Sequence, residues 1–189
     1  MERFFNTAGP IIPEDHYHID MLSRVDWPDI QQLIAEKRYF VLHAPRQTGK
    51  TSTLLAIMKI LNREGRHACA YANIEAAQAA RGDAVQGIPA ACSAIASAIA
   101  LYLGAPEIER WYRTEAQSIE PHARLTQLLA HWASTTSRPT VLFLDEVDAL
   151  VGDTLISLLR QIRAGYAQRP QTFPQSIVLC GVRDVRDYR

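Results

Sequence analysis

One stretch of the sequence has the residue types and spacing of a phosphate-binding loop. Residues 44–51 read Ala-Pro-Arg-Gln-Thr-Gly-Lys-Thr and directly follow the apolar run 39–43. The general pattern is G-x-x-x-x-G-K-[ST], placed between a strand and a helix. Every fixed position is matched except the first, where Ala44 stands in place of glycine. The stretch therefore predicts a loop that holds the phosphates of a nucleotide.

The residue types in this loop suit a bound triphosphate. Backbone N–H groups of such a loop form a nest for anions, and Gly49 lets the backbone come close to a phosphate. Lys50 supplies a positive charge for the β and γ phosphates, and Thr51 supplies a hydroxyl for Mg²⁺. The helix that begins at Lys50 directs the positive end of its dipole at the anion. The predicted site comprises Ala44, Pro45, Arg46, Gln47, Thr48, Gly49, Lys50, Thr51, Ser52 and, from the motif described next, Asp145.

Two adjacent acids follow a second apolar run. Residues 141–144 read Val-Leu-Phe-Leu, which predicts a buried parallel strand that ends at Asp145 and Glu146. Open α/β sheets place their ligand crevices at the carboxyl ends of strands. We expect Asp145 to hold Mg²⁺ through water, with Thr51 as a further ligand, and Glu146 to orient and deprotonate an attacking water. Two acids after a strand, taken by themselves, are more typical of a solvated loop. The phosphate-binding loop earlier in the chain favours the catalytic interpretation here.

The two motifs together resemble the Walker A and Walker B elements of the AAA+ and STAND-like P-loop ATPases. The stretch 145–150, Asp-Glu-Val-Asp-Ala-Leu, is similar to the Walker B region of AAA+ and archaeal-type ATPases. Residues 5–10, Phe-Asn-Thr-Ala-Gly-Pro, are similar to bacterial AAA-like ATP-binding proteins. The resemblance implies a three-layer α/β/α fold with a mainly parallel sheet in the order 5-1-4-3-2. It also implies ATP and Mg²⁺ as cofactors.

The alternation of apolar runs with helical patterns predicts a parallel sheet covered on both faces. Four strands are evident, at 39–44, 67–73, 140–144 and 176–180. Helices are expected at 27–37, 50–63, 88–103, 107–116, about 121–132 and 155–167. Asp153 or Thr154 is expected to cap the last of these helices. Residues 75–87 are expected to form a loop or a short helix.

The resemblance also predicts the domain organisation. Residues 1–25 are expected to form an N-terminal segment, and 26–189 a P-loop ATPase core. No stretch of the sequence matches the fifth strand or the helical lid that the resemblance implies. We therefore expect the core to stop before both, which leaves the first strand at an open edge of the sheet.

Three arginines are further candidates. Arg183 follows the fourth strand, where the resemblance implies a sensor that binds the γ-phosphate through a bidentate fork. A surface arginine paired with Asp184 or Asp187 is the alternative. Arg160 and Arg163 lie three residues apart, on one face of a helix. They are candidates for an arginine finger or a DNA contact, and a solvated helix face is the favoured interpretation.

Composition limits the function classes that the sequence supports, and nucleic acid stays a possible but unsupported partner. The formal net charge of +0 over 189 residues gives no support for binding nucleic acid or an anionic membrane. Cys69, Cys92 and Cys180 are predicted to be buried reduced thiols, which favours a cytoplasmic protein. No cysteine or histidine spacing typical of a metal site is present. The apolar stretch 88–103 is short and rich in alanine, and is expected to pack on the sheet rather than span a membrane.

The leading expectation is Mg²⁺-dependent ATP hydrolysis. The absence of an Asn-Lys-x-Asp element favours adenine over guanine, and Ile11, Ile12 and His18 are candidates to contact the base. A STAND-type nucleotide switch with little turnover and a DNA-associated ATPase module are the alternatives. The expected partners are ATP and either a second protein or another copy of the ATPase core.

Overall fold

A four-stranded parallel sheet organises the described residues, 3–7, 9–12, 14–45 and 48–181, of this computed structural model. The strands run in the order β1-β4-β3-β2. This is the predicted order without the fifth strand, and it places β1 at an edge among the described residues. The strands are β1 (Phe40–His43), β2 (Ala68–Asn73), β3 (Thr140–Asp145) and β4 (Ser176–Gly181).

The burial of each strand follows its place in the sheet. All six residues of β3 are buried, since the strand has a neighbour on each side and helices over both faces. In β1 the residues alternate between half-buried and exposed, as expected of an edge strand. The register places Phe143 opposite both Tyr71 and Val178, which aligns the apolar centres of three strands.

In the described part of the chain, six α-helices cover the sheet in two layers. Residues of α1 and α2 form one apolar cluster with one face of the sheet, and residues of α3 to α6 form a larger cluster with the other face. This is the three-layer arrangement predicted from the sequence. The helices are α1 (Trp27–Ala35), α2 (Lys50–Glu64), α3 (Ala84–Leu103), α4 (Pro106–Thr114), α5 (Pro121–Thr135) and α6 (Gly152–Ala164).

Two helices begin earlier than predicted. Helix α3 begins at Ala84, not 88, because the Asp83 side chain caps it by accepting a hydrogen bond from Val85 N. Helix α6 begins at Gly152, with neither Asp153 nor Thr154 as its cap. The prediction of that cap is wrong because Thr154 Oγ1 donates to the carbonyl of Arg81, at 2.9 Å, and so joins α6 to the turn before α3.

Helix α3 lies in the core, as predicted. By length and composition it is apolar enough to cross a membrane. In the structure Ile88, Ile95 and Ile99 are fully buried among the residues of the larger cluster. The apolar sequence of α3 is therefore accounted for by its packing.

The predicted buried thiols lie in the core, and the three tryptophans lie in or beside it. All three cysteines are free and buried, and burial raises the pKa of the Cys69 thiol to about 12. Trp132 is fully buried. Trp111 is half-buried and stacks on His131 with ring centroids 4.1 Å apart, while Trp27 packs against the cluster of α1 and α2.

Gln161 joins the two helices α5 and α6 through the backbone of α5. Its Nε2 donates to the carbonyl of Pro121 at 3.1 Å, and its Oε1 accepts from Leu125 N at 2.9 Å. Both groups belong to the first turn of α5. The amide therefore bridges that turn and holds α5 against α6.

Gly165, at the end of α6, provides a test of the packing. A Cβ at this position would overlap the ring of Phe173, which is fully buried. Gly165→Ala is therefore expected to lower the free energy of unfolding by about 2 kcal/mol through overpacking. Urea denaturation measures this change. Gly82→Ala is the control, because a Cβ there meets nothing within 4 Å, and equal stability of the two variants would contradict the packing.

Candidate nucleotide-binding site

The loop between β1 and α2 requires glycine at its last position. Gly49 precedes α2 with φ of 83°, in the left-handed region. A Cβ on Gly49 would also lie 2.9 Å from Nη1 of Arg24. The backbone conformation therefore excludes a larger residue without strain, whereas the end of the flexible Arg24 side chain can shift to make room.

Ala44 does not need the conformational freedom of glycine. Among the described non-glycine residues, positive φ values occur at Lys37, Arg81 and Glu146. Alanine at the first position of the pattern is thus compatible with the backbone of this loop. Two further predicted loop residues, Arg46 and Gln47, lie outside the described residues.

The side chains of the loop bond to the backbone of the loop. Lys50 Nζ donates to the carbonyls of Ala44, at 2.8 Å, and Pro45, at 2.9 Å. Thr48 Oγ1 donates to the same carbonyl of Pro45 at 2.8 Å. The Lys50 ammonium therefore lies across the first residues of the loop, where it balances the partial charges of two carbonyls.

A buried carboxylate connects the loop to the sheet. Asp145 is 1% exposed at the end of β3. Thr51 Oγ1, 94 residues earlier, donates to its Oδ2 at 2.7 Å. Tyr71 donates from its hydroxyl to the same oxygen at 2.9 Å, and Glu146 N donates to Oδ1 at 3.0 Å. The structure thus brings together the two residues that the sequence predicted as magnesium ligands.

Cys180 of β4 is a further neighbour of Asp145. The pKa of its thiol is raised mainly by burial and further by a hydrogen bond and the charge of Asp145. Neither Cys180 nor Tyr71 was predicted to belong to the site. Both positions read as core residues in the sequence, and the side-chain direction that brings them to Asp145 is set by the register of the strands.

Glu146 lies in a strained conformation next to Asp145. Its φ of 59° and ψ of 38° are left-handed, which costs about 1–2 kcal/mol for a residue with a Cβ. Burial raises the pKa of its half-buried carboxyl, and so do the charges of Asp145, Asp148 and Glu75, against the opposing effect of Lys50. The turn therefore holds an acid at the carboxyl end of β3, as predicted.

The N-terminal segment contacts the loop at two points. Ile11 N donates to Oγ of Ser52, at 3.0 Å, and Ser52 is buried. Arg24 Nη1 donates to the carbonyl of Thr48 at 3.0 Å. Arg24 was not predicted to belong to the site, because it lies outside both motifs. Ile12 and His18, candidates to contact a base, are exposed.

The remaining arginines lie apart from this cluster or outside the described residues. Arg183 falls outside the described residues, which reach Gly181 at this end of the chain. A Cβ on Gly181 would lie 2.8 Å from Asp148 Oδ1, so the end of β4 lies beside the turn that follows Asp145. Arg160 and Arg163 are exposed on α6, in agreement with a solvated helix face.

The parallel sheet and the loop before α2 define a P-loop NTPase-like α/β fold. The family model described as AAA ATPase domain matches residues 31–171. The chain therefore belongs to the AAA ATPase domain family.

Solved structures support the same fold. Cdc6p from Pyrobaculum aerophilum has a TM-score of 0.50 at 21% identity, over 83% of this chain and 38% of that one. A chain of Drosophila ORC bound to poly(dA/dT) DNA and Cdc6 has a TM-score of 0.52 at 13% identity, over 89% of this chain and 26% of that one. The chain thus spans well under half the length of both. No curated protein matches it.

The left-handed turn at Glu146 can be tested through stability. Glu146→Gly and Glu146→Ala both remove the carboxylate, but glycine alone adopts this conformation without strain. The glycine variant is therefore expected to be more stable by about 1 kcal/mol, measured by urea unfolding. The same pair at exposed Glu107 in α4 is the control, where alanine should be the more stable. Greater stability of alanine at 146 would contradict the strain.

Proposed function

We propose that this chain binds ATP with Mg²⁺ and hydrolyses it, as an AAA-type ATPase. The observation that carries the proposal is the hydrogen bond from Thr51 to Asp145, 2.7 Å long between residues 94 apart in sequence. It joins a loop suited to phosphate with an acid suited to a divalent cation. The family match supports a nucleotide-dependent function in general.

The donor atoms at this point fit magnesium. Thr51 offers a hydroxyl and Asp145 a carboxylate, both hard oxygen ligands. The described residues contain no group of three or more His, Cys, Asp or Glu placed to hold a metal. Mg²⁺ typically takes one or two protein ligands and completes its shell with phosphates and water. When bound, it neutralises charge on the β and γ phosphates.

The loop residues would bind the phosphates. The N–H groups at the start of α2, including that of Ser52, have no partner within the first turn and suit an anion. Lys50 would exchange the carbonyls of Ala44 and Pro45 for phosphate oxygens, a stronger charge-assisted bond. Pro45, Arg46, Gln47, Thr48 and Gly49 would complete the loop around the phosphate chain.

Two further residues would act on the reaction itself. Glu146 would orient the attacking water and take its proton, and its position one residue after Asp145 supports this role. Arg183 would stabilise charge on the γ-phosphate from the end of β4. The protein would thus contribute mainly positioning and electrostatics, as phosphoryl transfer requires.

The proposed function also implies a domain organisation, a partner and a cellular location for the protein. Residues 1–25 would be an N-terminal segment of an ATPase core, and the bond from Ile11 to Ser52 supports its place beside the loop. The exposed edge of β1, where Val41 is 37% exposed, supports pairing with a further protein or another copy. The buried free cysteines support a cytoplasmic location.

Lys50 tests nucleotide binding. Lys50→Ala is expected to weaken ATP binding by about 10–100-fold, because hydrogen bonds to charged groups contribute roughly 1.5–3 kcal/mol. Isothermal titration calorimetry with ATP and Mg²⁺ measures this. Lys59→Ala is the control, since this exposed lysine lies on the same helix beyond the loop. Equal loss of affinity in both variants would contradict a phosphate contact by Lys50.

Glu146 tests hydrolysis separately from binding. Glu146→Gln keeps the size of the side chain and removes the base, so turnover is expected to fall by about 100–10,000-fold while ATP affinity is retained. Phosphate release under multiple-turnover conditions measures the rate. Glu75→Gln, a nearby exposed acid, is expected to retain activity. A Glu146→Gln variant with normal turnover would refute the proposed base.

Wild-type protein that completes a single turnover and then stops would instead indicate a nucleotide switch.

A further inference from the structure

Tyr71 is buried at the candidate site and belongs to neither sequence motif. It lies on β2, 8% exposed, within the apolar cluster formed with α1 and α2. Its strand register places it opposite Phe143, while Asn73 is opposite Asp145. The tyrosine side chain therefore reaches along the sheet, toward the carboxyl ends of the strands, to place its hydroxyl 2.9 Å from Asp145 Oδ2.

The hydroxyl distinguishes Tyr71 from a residue that only fills space. A phenylalanine would occupy nearly the same volume in the cluster without burying a polar group. A buried hydroxyl is costly unless it is hydrogen-bonded, and here its partner is the carboxylate of Asp145. The ring is held in place by Tyr102 of α3, edge-on at 6.3 Å between centroids and 84° between planes.

Tyr71 completes a set of donors that fix the rotation of the carboxylate. Oδ1 of Asp145 accepts from the backbone N–H of Glu146 at 3.0 Å. Oδ2 accepts from Tyr71 and from Thr51. With a donor on each oxygen, the plane of the carboxylate cannot turn without breaking a hydrogen bond. Loss of a residue that holds a metal-binding carboxylate in this way typically costs about 10–100-fold in metal affinity.

We propose that Tyr71 is a positioning residue of the ATPase site, whose hydroxyl fixes the Asp145 carboxylate in the orientation that binds Mg²⁺. This inference rests on the proposed function, since it assigns Asp145 to the cation. Tyr71 acts through Asp145 and does not itself touch the nucleotide.

The test measures the contribution of Mg²⁺ to nucleotide binding at equilibrium. The affinity of the 189-residue chain for the non-hydrolysable analogue AMP-PNP is determined by calorimetry in EDTA and across a series of MgCl₂ concentrations. Mg²⁺ is expected to increase the affinity for AMP-PNP, and the Mg²⁺ midpoint is the concentration that gives half of this increase. In Tyr71→Phe this midpoint is expected to be about tenfold higher than in wild type. The affinity in EDTA should be unchanged, because the loop contacts to phosphate do not involve Tyr71.

A matched variant separates positioning from packing. Tyr102→Phe makes the same substitution in the ring that packs against Tyr71, away from Asp145, and should leave the Mg²⁺ midpoint at the wild-type value. A purely structural role of Tyr71 would lower affinity equally in EDTA and in Mg²⁺, and would overturn the proposal. A Tyr71→Phe midpoint equal to that of wild type would overturn it as well.

A second measurement does not depend on the folding of the variant. 3-Fluorotyrosine at position 71 of the otherwise unchanged chain reports on the hydroxyl by ¹⁹F NMR. Addition of Mg²⁺ to the AMP-PNP complex is expected to shift this resonance more than that of the same label at position 102. A smaller shift at 71 would overturn the proposal. Failure of wild-type chain to bind AMP-PNP at all would instead refute the proposed function.

Discussion

The burial of one carboxylate constrains the whole candidate site. Asp145 is 1% exposed, and a polar group buried without partners costs on the order of 1–3 kcal/mol or more when charged. Its donors come from separate elements: Thr51 from α2, Tyr71 from β2 and the backbone of Glu146 after β3. Each of these elements must be in place for the carboxylate to be satisfied. The carboxylate of Asp145 therefore has its hydrogen-bond partners only when these elements have folded together.

The strand order explains how a residue after β1 reaches an acid after β3. β1 and β2 lie at opposite edges of the described sheet, so α2, which connects them, crosses one face. Its first turn begins above the carboxyl ends of the strands, which places Thr51 over Asp145. The central position of β4, between β1 and β3, brings Cys180 to the same place. A parallel sheet converts distant sequence positions into neighbours because all of its carboxyl ends meet at one edge.

Much of the fold could be predicted from local pattern, and the two exceptions have one local and one tertiary cause. The four strands and six helices were predicted within a few residues, because apolar runs and helical periodicity report burial directly. The start of α3 was missed because residues 75–87 lack a clear period and the signal was a single capping acid, Asp83. The cap of α6 was wrong because Thr154 has a partner across the fold, the carbonyl of Arg81. Long-range hydrogen bonds of this kind leave no local trace in the sequence.

For the site, the sequence by itself determined which residue types could bind a nucleotide and at which strand ends they lie. Gly49, Lys50, Thr51, Asp145 and Glu146 were all identifiable, since each belongs to a motif with fixed local spacing. Only the tertiary structure decided that Tyr71 and Cys180 lie against Asp145 and that Arg24 contacts the loop. It also decided that Ala44 fits the loop without strain. The physical reason is that motif spacing is a property of one chain segment, whereas the partners of a buried group are set by register and packing between segments.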